Sequence, residues 1–365
     1  MTAPSFSSVL PFSFVPFQKT TMDLFELTRA LVDIESVTNN EAGAGEFLFR
    51  RLSPLAAKYG GHLERMQVEA QRFNVFASWG KPIVTLSTHM DTVPPFFPSR
   101  EDAEFLWGRG ACDAKGIIAA MISAVEKLLA EGIDDVGLLF VVGEERNSAG
   151  ARVAAKEPRG SRYLINGEPT ENKLCVGSKG ALRFELVAQG RLAHSGYPEL
   201  GRSAIDALLD VLEDIRRLPL TEDPLLGKST FNIGTISGGR APNVVADEAR
   251  AELMFRLVGD AAPVREAVHA AVAGRLEVRE VLHTPVFHFS GLDGLPTTVV
   301  AFTTDVPTLA ETWGTPFLIG PGNIHVAHTA EERISKRELR DAVPIYTSMV
   351  KRLLASRREA PGILQ

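Results

Sequence analysis

The sequence predicts an α/β fold in which a mostly parallel sheet is flanked by helices and interrupted by a smaller α+β domain. Apolar strand-like runs alternate with amphipathic helical runs through residues 23–178, which is typical of a parallel sheet with crossover helices. Over residues 181–283 the order changes to β-α-β-β-α-β, a ferredoxin-like layout. The α/β pattern returns after Gly291, so the smaller domain is predicted to be an insertion.

The elements follow from the spacing of apolar residues. Helical spacing predicts helices at residues 23–34, 41–59, 116–130, 150–155, 203–217, 262–273, 297–302 and 336–354. Alternating or continuous apolar runs predict strands at residues 62–70, 73–79, 82–88, 137–142, 163–166, 181–190, 231–237, 248–258, 276–283 and 315–319.

These changes of pattern also predict the domain boundaries. Residues 1–21 are rich in Phe, Ser and Pro without a basic start or an unbroken apolar core, so we expect a loose N-terminal extension rather than a signal peptide. We interpret Met22, which opens the first helical pattern, as the true start. Residues 22–178 and 290–365 are expected to form the first domain, and residues 179–289 the inserted one.

The composition argues against several classes of protein. With 365 residues, 45% of them apolar and 23% charged, the chain is long enough for two globular domains. Forty-five acidic against 39 basic residues, without a basic block, argue against a nucleic-acid partner. No apolar run approaches membrane-spanning length. Two cysteines, Cys112 and Cys175, exclude a disulfide framework, and we expect a reducing, cytoplasmic location.

One stretch, residues 84–116, carries half of a candidate metal site. Side chains alternate along a strand, so His89 and Asp91 share one face at the end of the run V-T-L-S-T-H-M-D. His89 can ligate a metal through one ring nitrogen while Asp91 accepts a hydrogen bond from the other. Asp113 follows a Gly-rich turn, before a predicted helix, and supplies a carboxylate.

The other half comes from later strand ends and tight turns of the same domain. The motif G-E-E-R places Glu144 and Glu145 after a buried strand, and adjacent glutamates point in different directions. One of them can therefore bind metal while the other stays free as a base. Glu168 follows another strand in G-E-P-T, and the loop G-P-G-N-I-H-V-A-H-T presents either His328 or His325. Open α/β sheets place their ligands at such strand ends.

Each of these residues taken singly is more often part of a solvated turn or a structural histidine than a ligand. Together, two histidines and three carboxylates with one spare glutamate match a two-metal hydrolase. Imidazole and carboxylate favour Zn²⁺, although Co²⁺ or Mn²⁺ also fits such ligands. The run G-R-G-x-x-D lacks the third glycine of a dinucleotide-binding fingerprint, and no G-x-S-x-G of a serine hydrolase occurs.

The motifs S-T-H-M-D-T-V-P, G-R-G-A-C-D-A-K-G, G-E-E, G-E-P-T and A-H-T resemble, in this order, those of the dinuclear zinc metallopeptidases of the M20 family. That family includes acetylornithine deacetylase, succinyl-diaminopimelate desuccinylase, carboxypeptidase G2-like enzymes and aminoacylases. The resemblance runs from about residue 23 to residue 354. It implies a zinc-exopeptidase-like fold whose inserted domain is a lid and dimerisation domain.

The resemblance also implies a ligand set for two Zn²⁺ ions. His89 and Glu168 would hold one ion, Glu145 and His328 the other, and Asp113 would bridge both. The family spacing of A-H-T favours His328 over its neighbour three residues earlier, which stays a competitor.

Further roles are implied for residues around the ligands. Asp91 would orient the first histidine, and the Asp113–Ala114 peptide would be cis. Glu144 would take a proton from the activated water as it attacks the amide carbonyl, and would return a proton to the leaving amine.

Three residues of the inserted domain are implied as substrate contacts. His194, in R-L-A-H-S-G, would reach the partner subunit's active site and help to stabilise the oxyanion. Asn243, in G-G-R-A-P-N-V-V, would bind substrate, and Arg256 would bind the substrate carboxylate. Without the resemblance, His194 would be interpreted as a surface histidine and Arg256 as a solvated arginine of a strand.

We therefore expect a metal-dependent hydrolase that cleaves the amide bond of an N-acyl amino acid. Activity like that of acetylornithine deacetylase or succinyl-diaminopimelate desuccinylase is the leading hypothesis. A carboxypeptidase or dipeptidase acting on small peptides is the alternative, and a non-catalytic metal-binding relative is a third. We expect a homodimer without a nucleic-acid or membrane partner. The short loop at residues 94–105, with P-P-F-F-P, predicts a pocket rim unlike that of the best-known deacetylases.

Overall fold

The structure is a computed structural model that describes residues 22–359, so the predicted N-terminal extension lies outside the described residues. The helices are α1 (Leu24–Val32), α2 (Ala42–Tyr59), α3 (Gly116–Ala130), α4 (Ala149–Lys156), α5 (Ala204–Arg216), α6 (Ala262–Val272), α7 (Val306–Trp313) and α8 (Lys336–Glu359). The strands are β1 (His62–Glu69), β2 (Arg72–Trp79), β3 (Val84–His89), β4 (Arg100–Glu101), β5 (Phe105–Trp107), β6 (Val136–Val141), β7 (Tyr163–Asn166), β8 (Leu174–Ser178), β9 (Gly180–Gln189), β10 (Glu222–Asp223), β11 (Gly227–Lys228), β12 (Thr230–Gly238), β13 (Glu248–Leu257), β14 (Glu277–Thr284), β15 (Phe287–His288), β16 (Thr297–Val300), β17 (Thr315–Leu318) and β18 (Arg333–Ser335).

The main sheet has the strand order β1-β2-β6-β3-β7-β17-β8-β15, and β16 also pairs with β8. Its centre, β6-β3-β7-β17, is parallel, but β1, β2 and β15 pair antiparallel with their neighbours. The prediction of a mostly parallel sheet is therefore wrong at the edges, and the sheet is mixed. The link between β1 and β2 explains part of this result, because two residues cannot make the crossover that a parallel pair needs.

Helices cover both faces of the main sheet. On one face α1, α2, α3 and α8 pack around the buried strands β2, β3 and β6, and on the other α4 and α7 enclose a second apolar cluster around Trp313. The interior of α3 is apolar almost all round, as expected for a helix buried between the sheet and other helices. Among the described residues, no helix is long and apolar enough to cross a membrane.

A second, separate sheet is antiparallel and has the strand order β12-β13-β9-β14. The elements of this unit follow the order β9-α5-β12-β13-α6-β14, and α5 and α6 bury their apolar faces against the sheet in a core of their own. We call this unit the small domain. Its exact boundaries, and its role as a lid or dimerisation domain, stay predictions.

The segment that returns from the small domain differs from the sequence prediction. Residues 297–302 were expected to be a helix, but Thr297–Val300 form β16. Four consecutive β-branched residues stand at these positions, and such side chains favour a strand over a helix. The helix of this region is α7, which begins a few residues later with Pro307 in its first turn.

Candidate metal centre

The candidate ligands converge because they follow neighbouring parallel strands. β3 ends at His89, and the turns that carry Glu145 and Glu168 follow β6 and β7. Parallel strands end at the same edge of a sheet, so these side chains meet there. Gly143 has a φ of +80°, a left-handed conformation that glycine adopts without strain, and it turns the chain toward the two glutamates.

Asp113 lies between two imidazoles. Its Oδ1 is 2.9 Å from Nε2 of His89, and its Oδ2 is 3.3 Å from Nε2 of His328. Nε2 of His328 is also 3.0 Å from the carboxylate of Glu145. Ligand atoms of His89, Asp113 and Glu145 all lie within 4.8 Å of one another. A carboxylate whose two oxygens face different histidines has the arrangement that a bridge between two cations requires. The Asp113–Ala114 peptide is cis.

Glu168 and Glu144 complete the acidic lining. Burial raises the pKa of both carboxyls well above the usual value, and the positive charge of His89 opposes the rise. The neighbouring carboxylates of Asp305 and Glu145 raise both values further. Within residues 22–359 the Glu168 side chain has no hydrogen bond to another candidate ligand, but the charges of His89, Asp113 and Glu145 act on its carboxyl.

The charge balance of this cluster fits a divalent cation. Burial raises the pKa of Asp113, but hydrogen bonds from His328 and His89 hold it well below its usual range. The same contacts with Asp113 and Glu145 raise the pKa of His328 to about 10. The carboxylates of the cluster therefore compete for the positive charge of its two histidines. Bound metal ions would supply further positive charge. Imidazole nitrogens and carboxylate oxygens are ligands that suit zinc and similar ions.

Asp91 lies beside the candidate ligands and hydrogen-bonds the backbone that carries them. Its carboxylate accepts hydrogen bonds from the hydroxyl of Thr38 at 2.9 Å and from the amides of Glu144 and Glu145 at 3.1 and 3.2 Å. Nδ1 of His89 lies 3.0 Å from the backbone oxygen of Asp91 and 3.5 Å from its carboxylate. Asp91 thus contacts both the histidine and the turn that carries the glutamates.

The connection between β17 and β18, residues 319–332, is called the late loop, and its two histidines lie in different places. His328 faces Asp113 and Glu145, as described, whereas His325 is exposed and lines a cavity of about 480 Å³. The same cavity is lined by Arg256 of the small domain and by Glu171, three residues beyond the candidate ligand Glu168.

The remaining predicted residues lie in the small domain. Arg256 is half-buried, and burial lowers the pKa of its guanidinium. Within the described part of the chain no carboxylate or carbonyl contacts that guanidinium. His194 and Asn243 are exposed and adjacent, since Ser195 donates its amide hydrogen to the Asn243 carbonyl at 3.0 Å. The contacts of His194, with Gly196, Tyr197 and Val244, are within the small domain, and among the described residues it contacts none of the metal ligands.

Sequence reasoning missed two buried acidic residues near the ligands. Asp305 precedes α7, and burial raises its pKa to about 6. Glu332 follows His328 by four residues, and its carboxylate accepts a hydrogen bond from the backbone amide of Asp113. A weak signal was available for Glu332, because it belongs to the same run, A-H-T-A-E-E-R, as the late histidine. Asp305 stands in no motif, and its burial results from tertiary packing alone.

Comparisons with known proteins show the family. The sequence profile of peptidase family M20/M25/M40 matches residues 85–352. A peptidase M20 domain-containing protein of Schizosaccharomyces pombe is 38% identical over 340 residues, which cover 90% of this chain and 84% of the relative. A protein of Aspergillus oryzae named "probable carboxypeptidase" is 38% identical over 374 residues, with coverage of 90% and 87%.

Solved structures show the same fold at lower identity. Aminopeptidase PepT from Bacillus cereus has a TM-score of 0.73 at 20% identity, covering 91% of this chain and 98% of that one. An M20 family metallo-carboxypeptidase from Sulfolobus solfataricus has a TM-score of 0.72 at 17% identity, covering 91% and 99%. Since the profile spans most of the chain and the relatives cover nine-tenths of it, the chain belongs to peptidase family M20/M25/M40 and is a metallopeptidase that hydrolyses amide bonds.

Proposed function

We propose that this protein is an exopeptidase of the carboxypeptidase or dipeptidase type, which cleaves the last peptide bond of small peptides. The observation that carries the proposal is Arg256, a half-buried guanidinium without a partner among residues 22–359, in the wall of a cavity beside the turn of Glu168. A cation that is partly removed from water and left unpaired suits a carboxylate ligand such as a peptide C-terminus.

The deacylase hypothesis from the sequence shares this feature, because an N-acyl amino acid also ends in a free carboxylate. The description of the Aspergillus relative as a carboxypeptidase favours peptides over N-acyl amino acids. We therefore prefer the peptidase to an activity like that of acetylornithine deacetylase or succinyl-diaminopimelate desuccinylase.

We assign the metal ligands as the sequence resemblance implies, with Zn²⁺ as the metal. His89 and Glu168 would hold one ion, Glu145 and His328 the other, and Asp113 both. The two oxygens of Asp113 support this assignment, since they face different histidines. When bound, the ions polarise the scissile carbonyl and lower the pKa of a water molecule.

The residues of the chain then divide the chemistry. Glu144 follows the strand end beside the ligands, and burial raises the pKa of its carboxyl, which makes its carboxylate a stronger base for taking up one proton and returning it. It would accept the proton of the attacking water and pass it to the leaving amine. Arg256 would hold the terminal carboxylate and so fix which bond faces Glu144. Asn243 would contact the substrate from the small domain.

We also propose that the active unit is a homodimer in which His194 acts on the partner subunit's substrate. Its exposure supports this arrangement, as do Leu192, Tyr197 and Leu200 around it, with 47%, 61% and 62% of their surfaces exposed. Large apolar side chains exposed together mark interaction surfaces. The histidine could then donate a hydrogen bond to the oxyanion.

A substrate panel tests the proposed function. The metal-loaded protein would be given dipeptides, tripeptides, the same peptides with a C-terminal amide, and N-acetyl and N-succinyl amino acids. We expect hydrolysis of the free peptides, a large loss with the amides, which offer Arg256 no carboxylate, and complete loss with a chelator. Faster cleavage of N-acyl amino acids would overturn the peptidase assignment in favour of a deacylase. Two bound metals with no hydrolysis of any substrate would overturn both.

A further inference from the structure

The buried carboxylate of Glu332 connects the late loop to the turn that carries Asp113. Glu332 is 1% exposed. Its Oε1 accepts hydrogen bonds from three backbone amides, those of Gly110 at 2.9 Å and of Cys112 and Asp113 at 3.2 Å each. One acceptor atom thus holds the backbone of the turn from Gly110 to Asp113. The residues it joins are about 220 positions apart in the chain.

The second oxygen of Glu332 is paired with a buried arginine. Nη1 of Arg109, itself 2% exposed, lies 2.5 Å from Oε2. Arg109 also donates to the Pro95 carbonyl through Nε at 3.2 Å, and its guanidinium lies 4.9 Å from the centre of the Phe97 ring. A buried carboxylate needs such a partner, since an unpaired charge in the interior is strongly destabilising.

The backbone around Glu332 reinforces the connection. Its carbonyl accepts the amide hydrogen of Gly108 at 3.1 Å, and β18, which begins at the next residue, pairs antiparallel with β5. Near the other end of the late loop, a Cβ added to Gly322 would come within 2.7 Å of Cys112 Sγ. The late loop therefore lies against the turn of Asp113 near both of its ends, at Gly322 and at Glu332.

We propose that Glu332 is a positioning residue that, with Arg109, fixes the bridging carboxylate of Asp113 relative to His328. The inference rests on the two-metal site of the proposed function. His328 and Glu332 are four residues apart on one segment, so the segment supplies a ligand of one ion and also holds the ligand that both ions share. Displacement of this segment should disturb both ions rather than one.

The substitution Glu332→Gln tests the proposal with little change in shape. Glutamine can offer an oxygen to the three amides or to Arg109, but its NH₂ group then faces the other donors. We expect the amide hydrogens of Gly110, Cys112 and Asp113 to exchange faster in the metal-free variant. We also expect both metal affinities to fall, by about 10–100-fold, as is typical when a residue supporting the ligands is lost.

Two control variants separate positioning from general destabilisation. Glu126→Gln removes the carboxylate of another Arg–Glu pair, which joins Glu126 to Arg51 away from the ligands. Leu48→Ala removes a fully buried side chain of α2 and lowers thermal stability. Both should bind two metals as tightly as the wild type. If Glu332→Gln does not fold, Arg109→Lys keeps the positive charge, loses the forked donor and should weaken both ions to a lesser extent.

Metal binding, measured by Co²⁺ titration with absorption spectroscopy, decides the outcome without any assay of hydrolysis. Wild-type affinity for both ions in a folded Glu332→Gln variant would overturn the inference, as would a loss confined to one ion or a wild type that binds only one. A wild type that binds two ions but cleaves no peptide would instead refute the proposed function and leave this inference standing.

Discussion

The metal centre and the small domain hold their candidate residues in opposite ways. In the metal centre, Asp113 is buried and contacts two histidines of the same chain. In the small domain, His194 and Asn243 are exposed, and Arg256 is half-buried without a partner among the described residues. The first set is therefore organised by folding alone, whereas the second set requires a substrate or a second subunit to complete its contacts. Substitutions should reveal this difference, the first set through metal content and the second through kinetics.

The largest effect is expected from Asp113→Asn. A neutral amide cannot balance two cations, so both metals should be lost and hydrolysis should fall to background. Metal content after dialysis, measured by mass spectrometry, checks this prediction. His328→Ala is the matched control and should release one ion. Retention of either ion at wild-type affinity in Asp113→Asn would show that this carboxylate is not the bridge.

Glu144→Ala should separate chemistry from metal binding. Loss of the proton-transferring group is expected to lower kcat by about 10²–10⁴-fold while both metals stay bound. Glu145→Ala, one residue along, should instead lose a metal ion. Steady-state kinetics together with metal content distinguish the two glutamates. Wild-type turnover in Glu144→Ala would mean that the base is another residue.

His194→Ala tests whether the exposed histidine works across a dimer. Loss of one oxyanion donor typically lowers kcat by about 10²–10³-fold. Mixing this variant with Glu144→Ala should restore activity, because a mixed dimer has one site with an intact base and a histidine donated by the other subunit. No recovery after subunit exchange would place the histidine outside the partner subunit's site.

A smaller effect is expected from Arg256→Met. Loss of hydrogen bonds to a charged group costs about 1.5–3 kcal/mol, which corresponds to a decrease of about 10–100-fold in kcat/KM. The change should appear mainly in KM and should be absent with C-terminally amidated peptides. Arg250→Met is the control, because Arg250 lies on the same strand but is exposed and paired with Glu248. Equal effects of both variants would remove Arg256 from the substrate site.

The smallest effect concerns the pH dependence of the metal-free protein. The pKa of His328 is raised to about 10 by Asp113 and Glu145. A raised pKa contributes stability that is fully present below the ordinary value of about 6.5 and is lost as the pH rises through 10. The thermal midpoint of the wild type, minus that of His328→Gln, should therefore decline between pH 6.5 and 10. Because half of the side chain is exposed, the decline should be modest. A constant difference would contradict it.

The sequence predicts most of the helices and strands, which periodicity determines, and the candidate ligands that follow strand ends. β7 was predicted with its observed bounds, and the structure brings together four residues that the sequence places at strand ends and tight turns, His89, Asp113, Glu145 and His328. The contacts that periodicity does not encode were missed. Glu332 and Arg109 are charged, and a hydrophobic pattern assigns charged residues to the surface. They lie about 220 residues apart in the chain, and only tertiary packing makes them buried partners. The antiparallel edges of the sheet were missed because the apolar runs carry no information on strand direction.

The position of β17 has a consequence for synthesis on the ribosome. β17 lies between β7 and β8 in the sheet, although the whole small domain separates it from them in the chain. A nascent chain that has released residues 22–300 therefore has an open gap in its main sheet and lacks both His328 and Glu332. Since domains tend to fold as they emerge, the small domain can form while the metal centre is still incomplete. We expect a chain ending at residue 314 to show no tight two-metal binding, so that hydrolytic activity arises only after nearly the whole protein has been made.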